Sequence, residues 1–75
     1  MKLTQNKTLK TLGLKIQMLR KQNDITQEEL AAILGISRSY MGYIEQGRYH
    51  PSLKLLIKIS ESLKIELSDL LNTKL

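Results

Sequence analysis

Arg38, Ser39, Gly42, Tyr43 and Gln46 fall within about 140° of one another on a helix that turns about 100° per residue. Their side chains suit one kind of chemistry, hydrogen bonding and packing against a polar, anionic surface. No carboxylate lies among them. Arginine can offer two parallel donors to guanine O6 and N7, serine can bond a base edge or a phosphate, and tyrosine can pack on a thymine methyl. Arg38 stands near the N-terminus of this helix, which suits a helix entering the major groove by that end. Tyr43 is a large aromatic on the outer side, and Gly42 costs a helix about 1 kcal/mol. A merely solvated helix face needs neither.

Other chemistries lack their residues. Cysteine is absent and His50 is the sole histidine, so neither a disulfide framework nor a Cys or His metal cluster is expected. Ser, Asp and His nowhere assemble into a nucleophile, base and orienter. No enzyme activity, cofactor or metal is expected. His50 beside Pro51 reads as an ordinary loop histidine, and Met18 and Met41 as core filler.

The elements that must carry this face are helical. Leu9, Leu12, Ile16 and Leu19 recur at three- and four-residue steps, as do Leu30, Ile33 and Leu34, then Met41 and Ile44, then Leu53, Leu56, Ile57 and Leu63. No strand-length alternation interrupts them. Start and stop residues divide the chain into five helices, near 8–22, 27–34, 38–46, 53–63 and 69–71. Thr26 and Glu29 form a capping box, Gly35 and Gly47 are stops, and Ser37 and Ser68 read as caps. The centre is a short helix, a turn at Gly35–Ser37 and a second short helix, which is helix-turn-helix geometry. Residues 1–7 read as a loose basic arm and 8–75 as one all-α domain.

Charge points the same way. Twelve Lys and Arg oppose seven Asp and Glu, a net +5 over 75 residues. Lys2, Lys7, Lys10, Lys15, Arg20 and Lys21 face only Asp24 within residues 1–24, so that segment holds the whole excess. A basic surface favours nucleic acid, with an anionic membrane second; the same lysines also serve solubility, and Lys54 and Lys58 read as solvent-facing. No run of about 18 apolar residues spans a membrane, and no signal peptide is visible. A cytoplasmic protein is expected.

From Gly13 to Leu71 the chain resembles the Cro/cI-type (XRE-family), lambda-repressor-like DNA-binding domain. The resemblance lies in Leu12–Ile16 with Leu19-Arg20, Ile25–Ala31, Leu34–Ser37, Ile44–Gly47, Pro51–Leu53 and Leu67–Leu71. It implies a five-helix bundle whose second and third helices read double-stranded DNA, usually as a two-fold dimer on a near-palindromic operator. Residue by residue it implies that Arg38, Ser39 and Tyr43 read bases. Gln27 would bond a phosphate, Ser37 would touch sugar-phosphate or a thymine methyl, and Gln46, Gly47 and Arg48 would hold the backbone from the following loop; Tyr40, at the flank of the third helix, is placed to reach a phosphate. Arg20 and Glu45 match a buried ion pair of structural purpose. Short members include phage-type repressors and restriction-modification controllers. Asn23-Asp24 stands where the family often has glycine, and Gly42 forgoes a base contact that some relatives make.

One such module buries only about 600–1,000 Å² on DNA, so tight binding calls for two copies. Ile65, Leu67, Leu70, Leu71 and Leu75 are more apolar residues than a small terminal helix can bury within its own domain, and are expected to form the dimer surface. The same residues also suit an interaction module on this fold, an antitoxin or adaptor with a protein partner.

Overall fold

The computed structural model of the chain describes the backbone of residues 2–72 and the side chains of 7–72. Five helices follow in order: α1 (Lys2–Gln22), α2 (Gln27–Leu34), α3 (Arg38–Glu45), α4 (Leu53–Ser62) and α5 (Leu67–Leu71). No strand occurs among the described residues.

The helix boundaries follow local chemistry. Arg20 and Lys21 occupy the last turn of α1, where cations complement the helix dipole. Asp24 then takes a left-handed φ of 56°, and Asn23 Nδ2 donates to the Leu19 carbonyl at 2.8 Å. Thr26 caps α2 reciprocally with Glu29: the Glu29 N–H donates to Thr26 Oγ1 at 3.0 Å, and the Thr26 N–H donates to Glu29 Oε1 at 2.8 Å. Gly35 ends α2 at φ 73°, its N–H directed to the Ala31 and Ala32 carbonyls. Ser37 Oγ receives the Tyr40 N–H at 3.0 Å, and Ser52 Oγ receives the Leu55 N–H at 3.1 Å.

Two boundaries differ by more than one residue from the sequence expectation. The first helix begins at Lys2 rather than near residue 8, so residues 2–7 of the expected arm are helical. They contain neither Gly nor Pro to break the helix. Ser68 does not cap α5; Glu66 is the extended residue before it and makes no side-chain cap bond.

All five helices feed one core. Ile16, Leu30, Met41, Ile44, Ile59 and Leu70 are its most completely buried large side chains, each contributing about 1.5–3 kcal/mol by leaving water. Four apolar side chains expected in the core lie outside it. Met18, Ile33, Leu53 and Ile57 face outward. The chain of α4 carries two overlapping apolar stripes, and Leu55, Leu56, Ile59 and Leu63 point inward. Leu70, expected on a dimer surface, is 0% exposed within its own chain. Ile65 and Leu67 are half-buried against the same core, Leu71 is exposed, and Leu75 lies outside the described residues. Lys15 also has a specific use: its Nζ donates to the Asp69 carbonyl and, at 2.8 Å, to the Asn72 carbonyl, tying α1 to the C-terminal end of α5.

Candidate nucleic-acid interface

α2 and α3 pack closely as a corner, with α1 lying behind α3. Met41, Ile44 and Glu45 form the buried side of α3. Arg38, Ser39 and Gln46 are exposed, and Gly42 and Tyr43 are half-buried. These five residues line one shallow hollow with Gln27, so the outward face read from helical spacing is one surface. Thr26, Glu28 and Arg38 border Gln27 on the other side.

This surface is held from behind by an ion pair. Arg20 Nε donates to Glu45 Oε2 at 2.7 Å, and Nη2 donates to Oε1 at 3.1 Å. Arg20 Nη1 donates to the Ile25 carbonyl at 2.9 Å. One guanidinium thus fixes the end of α1, the turn before α2 and the end of α3. Both residues are buried, and removing one partner costs about 3–5 kcal/mol because the other charge is left uncompensated. Gln27 joins the network, its Nε2 donating to Glu45 Oε1 at 3.1 Å.

Glycines set the spacing. A Cβ on Gly47 would meet Lys10 Cα at 2.7 Å, and Gly47 adopts φ +74°. The loop after α3 therefore turns tightly against α1. Gly42 differs: a Cβ there would lie 3.7 Å from Gln27 Oε1, an ordinary contact. Helix packing does not demand glycine at this position.

An aromatic cluster that spacing alone did not show completes the surface. Tyr43 and Tyr49 meet edge-to-face at 5.4 Å and 84°, and Tyr49 lies 6.1 Å from Tyr40. Arg48 places its guanidinium carbon 4.5 Å from the Tyr43 ring centre. Tyr43 is thus half-buried and oriented by Tyr49 and Arg48. Tyr49 lies in a loop, beyond the reach of helical periodicity, although all three tyrosines fall within residues 40–49. His50 is exposed beside buried Pro51.

Ser37 spends its oxygen on capping, and its hydroxyl proton remains available as a donor. The Glu29 carboxyl is lowered from its ordinary value by the Thr26 backbone N–H, then by the Thr26 hydroxyl. Among the described residues no helix is long and apolar enough to cross a membrane.

A helix-turn-helix family model matches residues 16–70. The chain is 41% identical to the ImmF control region 10 kDa protein of Bacillus phage phi105, over 88% of this chain and 73% of that one. It is also 41% identical to that phage's immunity repressor protein, over 77% of this chain, but spans only 40% of the repressor's length. The crystal structure of the restriction-modification controller protein C.AhdI from Aeromonas hydrophila superposes with a TM-score of 0.78 at 35% identity, covering 83% of this chain and 94% of that one. Relatives of this kind are regulators, not enzymes. With its helix-turn-helix corner and these relatives, the chain belongs to the XRE-type (Cro/cI-type) helix-turn-helix family of DNA-binding transcriptional regulators.

Proposed function

We propose that this regulator acts in the cytoplasm and binds a near-palindromic operator as a homodimer, with α3 in the major groove. The observation that carries the reading is the hollow on the α2–α3 corner, which gathers Arg38, Ser39 and Tyr43 around Gln27. Arg38 reads guanine through a bidentate bond, Ser39 reads a neighbouring base edge, and Tyr43 packs on a thymine methyl. Gln27, Ser37, Tyr40, Gln46, Gly47 and Arg48 hold phosphates and set the register. Exposed Leu71, and the outward Leu53 and Ile57 of α4, are the apolar residues that α4 and α5 offer a second copy.

Selection from a random duplex library at about 0.15 M salt tests this reading. Recovery of an inverted repeat, its half-site centres one helical turn apart, is the expected result. Recovery of only sequence-blind, salt-sensitive binding contradicts it. Sedimentation gives the second test: a monomer at tens of micromolar contradicts a strong dimer.

A further inference from the structure

Gln27 connects the outer surface of the corner to its buried ion pair. Its Nε2 lies 3.1 Å from Glu45 Oε1, and Arg20 grips the same carboxylate at both oxygens. An ionised carboxylate only accepts hydrogen bonds. The contact therefore fixes which end of the Gln27 carboxamide faces inward: the NH2 group, with Oε1 turned away.

We propose that Arg20 and Glu45 are positioning residues for DNA binding as well as a clamp between helices. They hold Gln27 with one N–H donated to Glu45 and the second left for a phosphate oxygen. The inference rests on the reading of Gln27 as a phosphate contact.

Two further features favour it. Gln27 is the first residue of α2, where the amides of the helix N-terminus already favour an anion. A lone Glu45 carboxylate beside a phosphate would repel it, and Arg20 cancels that charge. Glutamine also has much rotamer freedom to lose, and a bond already made in the free protein removes part of that loss on binding.

A double-mutant cycle tests the proposal. Replacing a buried ion pair by apolar residues of similar size commonly preserves folding, so Arg20→Met with Glu45→Leu removes the anchor while keeping the core. Affinity is measured on the selected duplex and on a random one, with and without Gln27→Ala. In the native background Gln27→Ala is expected to lower affinity about tenfold on both duplexes, the loss of one hydrogen bond to a charged group. In the apolar-pair background the starting affinity is already several-fold lower, and Gln27→Ala costs less than about twofold more, the signature of coupled residues.

An equal Gln27→Ala loss in both backgrounds overturns the positioning role and leaves the phosphate contact standing. No loss in the native background overturns both. If the apolar-pair protein does not fold, nuclear relaxation of the side-chain amides in the native, DNA-free protein decides. Gln27 is expected to be ordered while exposed Gln22 and Gln46 move freely; a Gln27 as mobile as they are overturns the proposal.

Discussion

Gly13 of α1 lies directly against the backbone of Glu45 in α3. A Cβ at position 13 would come within 2.6 Å of the Ile44 carbonyl oxygen and closer still to that of Glu45. The two helices thus approach backbone to backbone beside the Arg20–Glu45 pair. Alanine is the better helix former by about 1 kcal/mol, yet carbonyl oxygens in a packed helix cannot move aside. Gly13→Ala is expected to destabilise the fold by about 1–3 kcal/mol, read as a lower urea midpoint. An unchanged or higher midpoint contradicts the close approach.

Gly42 gives the opposite sign. A methyl there makes only ordinary contact with Gln27, so Gly42→Ala is expected to stabilise the protein by up to about 1 kcal/mol. A loss of stability in the same denaturation experiment would mean that α2 and α3 lie closer than described.

Acid should weaken the start of α2. The carboxyl of Glu29 titrates below its ordinary 4.5 because it accepts the Thr26 N–H in the folded chain. A group with a lowered folded pKa binds more protons when unfolded, so its contribution is complete above pH 4.5 and fades as pH falls through the lower folded value. Glu29→Gln is expected to flatten that part of the stability profile. Identical acid slopes for the two proteins would remove Glu29 from the acid response.

Tyr49 packs against both other tyrosines but is itself exposed. Tyr49→Ala is expected to cost less than about 1.5 kcal/mol of stability while weakening DNA binding, because the Tyr43 ring, on which Arg48 stacks, loses its edge-to-face partner. Titration with duplex, followed by tyrosine emission, measures this; native affinity in the variant contradicts an orienting role.

Much of the helical framework was legible because local signals agreed with one another. Thr26 and Glu29 mark the start of α2, Gly35 its end and Ser37 the start of α3, each through a bond made within a few residues. The outer face of α3 followed from helical spacing alone. Arg20 and Glu45 are 25 residues apart, and only family resemblance joined them. Other features depend on what the helices meet in space. Gly13 gains its meaning from the backbone of α3, and Tyr49 gains its own from two side chains on α3. Leu53 and Ile57 continue an apolar pattern that Leu55 and Ile59 also satisfy, and tertiary packing chose the second set. Leu70 reads as a surface residue in the sequence, yet a five-residue helix places it in the core.

Arg38→Ala probes base reading most directly, by affinity for the selected duplex, for its single-base variants and for random DNA. If α3 reads bases, the variant loses about 1–3 kcal/mol on the selected duplex, tolerates substitution at one base pair per half-site, and binds random DNA with little change. An equal loss on selected and random DNA, with base preference intact at every position, would make Arg38 a phosphate contact and contradict the placement of α3 in the groove.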